Sequence, residues 1–94
     1  MININHISLP EQAITPDRVV KLVDVLCKSM GNVERCRLKC YLIRKHVSWM
    51  TLSAIAPIVG CKNRWAVQYN IQAIENSVEL MKLAEDFDTL LEVN

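Results

Sequence analysis

The residue types that could do chemistry in this chain cluster just after its midpoint. An arginine suits the O6/N7 edge of guanine, a glutamine suits adenine, and an apolar ring suits the thymine methyl. If a helix begins at Asn63, these side chains occupy its first turns, where recognition helices contact bases and free N–H groups accept phosphate. The pattern predicts a surface for duplex DNA. Its residues are Lys62, Asn63, Arg64, Trp65, Gln68 and Tyr69.

The two aromatic residues of this cluster leave other interpretations open. Trp65 and Tyr69 could fold down onto neighbouring helices, because aromatic side chains are largely buried on average. An exposed Trp/Tyr pair could instead anchor a protein partner, since these residue types dominate the binding energy of interfaces. We expect both rings to be exposed. A protein-interaction module is therefore the alternative to a DNA-binding protein.

Charge is sorted along the chain, although the whole sequence carries a net charge of only +1. Residues 28–64 contain a single acid, Glu34, whereas residues 65–94 contain a single base, Lys82, and six acids. A basic segment that coincides with the cluster is the electrostatic footprint of a phosphate-binding surface. The acidic last third is expected to face away from DNA. The bases of the middle segment are Lys28, Arg35, Arg37, Lys39, Arg44, Lys45, Lys62 and Arg64.

Five helices must position this surface, according to the spacing of apolar residues. They are expected near residues 16–30, 33–48, 52–59, 63–76 and 77–92. Each is preceded by, or begins at, a residue whose side chain can cap a helix. These capping residues are Thr15, Asn32, Thr51, Asn63 and Asn76. Gly60 ends the third helix, because glycine tolerates the left-handed conformation found at helix ends. The third and fourth helices then form a helix-turn-helix, whose second helix is commonly offered to the major groove.

The second predicted helix is apolar on more than one side, which is typical of a helix in the centre of a bundle. Its charges form two ridges, and only one of them can face DNA squarely. One ridge is Arg37 with Arg44, and the other is Arg35 with Lys39 and His46. The sequence does not decide between them. Trp49 and Met50, at the end of this helix, are expected to cover the core.

Length and composition favour one all-α domain over residues 15–94, preceded by an N-terminal arm over residues 1–14. Half of the chain is hydrophobic, and only two residues are glycine. The arm could dock on the domain or pair with a second copy. No apolar run approaches the ~20 residues that cross a bilayer, and no secretory signal begins the chain. We therefore expect a cytoplasmic protein with no membrane partner and with reduced cysteines.

No catalytic or metal-binding motif accompanies the cluster. Cys27, Cys36, Cys40 and Cys61 lack the paired short spacing of a structural zinc site. Cys36 and Cys40, with His46 nearby, could in principle bind a metal ion, but cysteines on a packing face are usually core residues. No phosphate-binding loop, metalloprotease motif or nucleophile elbow appears. We predict no cofactor, no metal site and no enzymatic activity.

Several stretches match the pattern of a known family. They are Tyr41-Leu42-x-Arg44, Leu52-Ser53-x-Ile55-Ala56, Val59-Gly60-x-Lys62-Asn63-x-x-x-Val67 and Glu85-Asp86-Phe87-x-x-Leu90-Leu91. Over about residues 15–94 the chain resembles the C-terminal duplex-binding domain of the bacterial replication initiator DnaA, of the Trp-repressor-like helix-turn-helix group. The resemblance implies duplex DNA as partner, with Ser53 and Lys62 among the contacts. It also implies that Arg35 and Arg37 are what remains of an arginine-rich minor-groove lead.

The chain departs from the family at the residues that contact bases. Asn63, Arg64, Trp65 and Ala66 replace the Asp-His-Thr-Thr that recognises the family's nine-base-pair box. Lys62 replaces an arginine, which keeps the charge but loses the bidentate fork. The resemblance therefore implies a stand-alone derivative of the domain, without an ATPase, of the sort that a phage or mobile element carries. We expect its DNA binding to be mostly electrostatic and weakly sequence-specific.

Overall fold

The computed structural model describes residues 14–92, which form five helices joined by short turns. The helices are α1 (Pro16–Leu26), α2 (Asn32–His46), α3 (Leu52–Val59), α4 (Arg64–Glu75) and α5 (Val78–Glu92). No strand occurs between residues 14 and 92. The predicted all-α bundle is confirmed. The predicted arm lies outside the described residues except for Ile14, which packs against the core.

Three of the predicted helix caps are confirmed. Thr15, Thr51 and Asn63 each accept a hydrogen bond from the backbone N–H three residues further on, at 3.1–3.2 Å. Such a bond satisfies one of the N–H groups that a helix start leaves free and stabilises the helix by about 1 kcal/mol. The starts of α1, α3 and α4 are therefore determined by local chemistry.

The other two predicted caps are wrong. Gly31 takes the cap position of α2, and Asn32 is already helical. The Asn32 side-chain oxygen accepts instead from the guanidinium of Arg35, a charged donor one turn away. At the last break, Asn76 ends α4, and the hydroxyl of Ser77 accepts from the Leu80 N–H at 3.2 Å. The break itself is where the sequence predicts it, but the cap of α5 lies one residue later.

Two helices end earlier than predicted. Cys27 closes α1 and Val47 closes α2, each with backbone angles outside the helical region. The tight turn after α2 brings the N–H of Met50 to within 3.0 Å of the Val47 carbonyl oxygen. This turn directs Met50 into the core but leaves Trp49 77% exposed. The expectation that Trp49 covers the core is therefore wrong, and that for Met50 is confirmed.

Helix α2 is the centre of the bundle, as its apolar pattern predicts. It packs against α1, α3, α4 and α5, so that its side chains are buried in several directions. Leu38, Leu42 and Ile43 are completely buried. Because α2 contacts the other four helices, the charged residues on its surface lie next to side chains of those helices.

A charged contact holds α5 against the end of α2. Asp88 is largely buried, and its carboxylate lies 2.5 Å from Lys45 Nζ and 2.6 Å from His46 Nε2. An ionised carboxylate only accepts hydrogen bonds, so His46 Nε2 must be the donor. The hydrogen bond to Asp88 also raises the pKa of Lys45. Asp88 thus pairs with Lys45 and accepts a hydrogen bond from His46 at the C-terminal end of α2.

We expect Asp88→Ala to lower the free energy of unfolding by about 1.5–3 kcal/mol, because hydrogen bonds to a charged group are lost. Urea unfolding followed by circular dichroism measures the change. The matched control is Asp86→Ala, which removes an exposed carboxylate from the same helix and should change stability by less than about 0.5 kcal/mol. Equal effects of the two variants would contradict the anchoring role.

Candidate nucleic-acid interface

Helices α3 and α4 are joined by a turn over residues 60–63. Gly60 has a φ of +80°, in the left-handed region where residues with a side chain are strained. The next residue, Cys61, donates its N–H to the Ala56 carbonyl at 2.8 Å, which closes the end of α3. Asn63 then caps α4. The turn therefore places Lys62 and Arg64 at the N-terminal end of α4.

The outer face of α4 is the one that its periodicity predicts. Trp65 is 67% exposed and Tyr69 is 64% exposed, and Gln68 between them is half-buried. Val67 and Ile74 point the opposite way into the core. The rings of Trp65 and Tyr69 thus lie on the surface, which excludes the interpretation that both are core residues.

Each of these rings carries a guanidinium group. The Arg64 guanidinium lies 4.7 Å from the centre of the Trp65 ring, and the Arg37 guanidinium lies 5.9 Å from the centre of the Tyr69 ring. Cations are attracted to the negative face of an aromatic ring. The contact between Arg37 and Tyr69 joins α2 to the outer face of α4. Cationic and aromatic groups therefore form one continuous surface across the two helices.

One of the two basic ridges of α2 has carboxylate partners. Asp24 of α1 lies 2.7 Å from Lys39 and 3.6 Å from Arg35, and His46 is bonded to Asp88. This ridge therefore faces α1 and α5, and the single charge of Asp24 offsets part of the charge of Arg35 and Lys39. The structure does not bring Arg35 to the face of α4.

The other ridge lies on the α4 side. Among residues 14–92, no carboxylate oxygen comes within 4.0 Å of the guanidinium of Arg37 or Arg44. Arg44 lines a shallow depression with Ile71 and Glu75 of α4. The ridge of Arg37 and Arg44 is the uncompensated one, and it adjoins α4.

A second depression, of about 430 Å³, lies at the α3–α4 turn. Ser53 and Pro57 of α3 form one wall, and residues from Cys61 to Trp65 form the other. Ser53 therefore lines the same depression as Lys62 and Arg64. Within the described residues, neither of these cations has a carboxylate partner. The N-terminal end of α4 is therefore basic, whereas its C-terminal end carries Glu75.

One cluster was not predicted from the sequence. The sulfur atoms of Cys36, Cys40 and Cys61 all lie within 4.8 Å of one another, and Asn70 Nδ2 lies 3.6 Å from that of Cys61. Burial raises the pKa of Cys36 and of Cys40. His46, considered as a partner of Cys36 and Cys40, is bonded to Asp88 instead. In the sequence, the feature that points to Cys61 is its position directly after Gly60, the glycine that turns the chain back toward α2.

No protein-family model, no curated protein and no solved structure matches this chain. The resemblance to the DnaA duplex-binding domain rests on the sequence motifs given above. Among the helices of residues 14–92, none combines the length and the apolar character that a membrane crossing requires.

Truncation of the exposed tryptophan should leave the fold intact. We expect Trp65→Ala to change the free energy of unfolding by less than about 1 kcal/mol, since most of the ring is already in water. Ile74→Ala, in the buried stripe of the same helix, should cost about 2–5 kcal/mol. Thermal melts of the two variants provide the comparison. A loss for Trp65→Ala as large as that for Ile74→Ala would show that the ring is part of the core.

Proposed function

We propose that this protein binds duplex DNA without catalysing a reaction, and that α3 and α4 act as a helix-turn-helix with α4 in the major groove. The observation that carries the proposal is the position of the uncompensated positive charge. Arg37 and Arg44 of α2 have no carboxylate partner among the described residues and adjoin α4. Lys62 and Arg64 stand at the start of that same helix.

Phosphate contacts supply most of the binding energy in this proposal. Lys62 and the first turn of α4 offer a positive charge and free N–H groups, both of which attract a phosphate. Arg37 and Arg44 extend the positive surface along α2. Ser53 faces the same depression and can donate a hydrogen bond to a phosphate oxygen. Glu75 disfavours contact at the C-terminal end of α4, so the duplex meets the N-terminal half of the helix, and Arg44, which lies beside Glu75, is the outermost cation of the surface.

Sequence specificity is weak in this proposal because few side chains remain to contact bases. The Asn63 side chain is engaged in capping α4, and the Arg64 guanidinium is stacked on Trp65. Gln68 and the exposed rings of Trp65 and Tyr69 complete the groove-facing set. The resemblance to the DnaA domain supports the fold of the interface. The loss of the family's base-contacting residues argues against its nine-base-pair box as the target.

The salt dependence of DNA affinity tests the electrostatic origin of binding. If Arg37, Lys62 and Arg64 each neutralise one phosphate, the slope of log affinity against log salt concentration is about −2.7, and a contact from Arg44 as well brings it to about −3.6. Fluorescence anisotropy with a labelled duplex of mixed sequence, at several salt concentrations, measures this slope. Affinity that is independent of salt, or no binding at low ionic strength, would contradict the proposal.

Replacement of Arg64 tests the position of the interface. If Arg64 contacts a phosphate, Arg64→Ala should weaken binding to all sequences and reduce the salt slope by about 1. If it contacts a guanine, the loss should be about 1–3 kcal/mol and restricted to certain sequences. Lys82→Ala is the matched control, because it removes an exposed cation from α5, away from the proposed interface. Equal effects of the two variants would place the interface elsewhere.

A protein-binding module is the second candidate function, and the exposed aromatic residues favour it. Trp65 and Tyr69 stand side by side on α4, and tryptophan and tyrosine are enriched among the residues that dominate protein interfaces. The Trp65→Ala variant separates the two functions. An unchanged melting temperature with reduced DNA affinity supports DNA binding, whereas unchanged values of both point to a protein partner.

A further inference from the structure

Three cysteines from separate parts of the chain meet between α2, α4 and the α3–α4 turn. Cys36 and Cys40 lie one helical turn apart on α2, and Cys61 follows Gly60 in the turn. The sulfur atoms of Cys36 and Cys61 are 3.9 Å apart, and all three sulfurs lie within 4.8 Å of one another. Cys40 is completely buried, and the other two are half-buried. The fourth cysteine, Cys27, is not part of the cluster.

This spacing is close to that of three sulfurs around one metal ion. Metal–sulfur bonds to thiolates are about 2.3 Å long, so three sulfurs in a plane around an ion stand about 4.0 Å apart. The pair Cys36 and Cys61 already has this separation. The Cys40 sulfur lies within 4.8 Å of both, which exceeds this separation by less than about 1 Å.

The surroundings of the sulfurs favour a soft ion with a low coordination number. Asn70 donates from Nδ2 to the Ala66 carbonyl at 2.9 Å, and the same nitrogen lies 3.6 Å and 3.9 Å from the sulfurs of Cys61 and Cys36. The amide thus turns its N–H groups, and not its oxygen, toward the sulfurs. An N–H group stabilises a thiolate but cannot be a fourth ligand to the metal.

We propose that Cys36, Cys40 and Cys61 form a three-sulfur site for one soft, thiophilic metal ion of the Cu⁺ type. Thiolates select such ions, and Cu⁺ is satisfied by three ligands, whereas structural Zn²⁺ sites almost always have four. Each thiol that binds releases its proton to solvent. The ion reaches the sulfurs from the surface, because Cys61 lines the depression at the α3–α4 turn and Cys36 lines another beside Asp24.

The ion would link α2 directly to the turn that carries Lys62 and Asn63. Cys61 is the neighbour of Lys62, so a bond from its sulfur restricts the start of α4. If the protein binds DNA as proposed, the bound ion changes its affinity for DNA. The metal site itself does not depend on that function, and its test measures the metal alone.

The experiment is an anaerobic titration of the whole chain with Cu⁺, in competition with a chromogenic Cu⁺ chelator and with a phosphine reductant present. We expect one ion per monomeric chain and an ultraviolet thiolate-to-copper charge-transfer band. Cys61→Ser and Cys36→Ser should each weaken binding at least tenfold. Cys27→Ser is the matched control and should bind like the unmodified chain. Asn70→Ala, which leaves all three sulfurs, should weaken binding by about 10–100-fold.

Other results would overturn the proposal. These are unchanged affinity in both Cys36→Ser and Cys61→Ser, an equal loss in Cys27→Ser, or one ion per two chains with a dimer on size exclusion. Circular dichroism of each variant verifies its fold, and a variant that fails to fold is replaced by the alanine substitution at the same position. A DNA affinity that is unaffected by bound Cu⁺ would remove only the link to DNA and leave the site in place. A chain that binds Cu⁺ but no DNA would refute the proposed function alone.

Discussion

Helix α2 must pack against four other helices while it carries six basic residues, counting His46, and the arrangement of the molecule depends on how those charges are accommodated. A charge between packed helices is costly unless it is paired or remains in contact with water. Asp24 of α1 pairs with Arg35 and Lys39. Asp88 of α5 contacts Lys45 and His46. Arg37 and Arg44 have neither partner. Their side of α2 borders α4, so the cations of α2 that have no carboxylate partner lie on that side.

The turn over residues 60–63 combines several requirements within four residues. Gly60 adopts the left-handed conformation that ends α3, and Asn63 caps α4. Between them, Cys61 points toward the sulfurs of α2, and Lys62 remains exposed. The same turn therefore links the proposed DNA-binding surface to the proposed metal site. An ion bound to Cys61 would act on the conformation of the very residues that stand at the start of α4.

The surface of α4 combines apolar rings with positive charge, because arginines stack on its aromatic residues. Trp65 and Tyr69 are large apolar groups in water, and each holds a guanidinium near its face. Such a stacked arginine is restricted in the directions in which it can reach, which favours a fixed pattern of phosphate contacts over an adaptable one. The same pair of rings would serve a protein partner equally well in shape. The positive charge around them is what favours DNA, because it is matched by the phosphate backbone.

The sequence by itself determined the features that depend on neighbours within a turn of helix. The period of the apolar residues predicted five helices and the exposed face of α4, and Thr15, Thr51 and Asn63 cap their helices as expected. These features follow from hydrogen bonds and periodicity over three or four residues. Where two neighbouring residues can both cap a helix, as Asn76 and Ser77 can, local sequence does not distinguish the cap that forms.

The tertiary structure alone decided which charges are compensated and which cysteines meet. The contacts of Asp24 with Lys39, of Asp88 with Lys45, and of Cys36 with Cys61 join residues from different helices or turns. No local pattern encodes such contacts, because they depend on how complete helices pack. The exposure of Trp49 has the same origin, since the turn after α2 places Met50 in the core and Trp49 in solvent. The site therefore lies on elements that the sequence predicts, but its charge and its sulfur cluster arise from their packing.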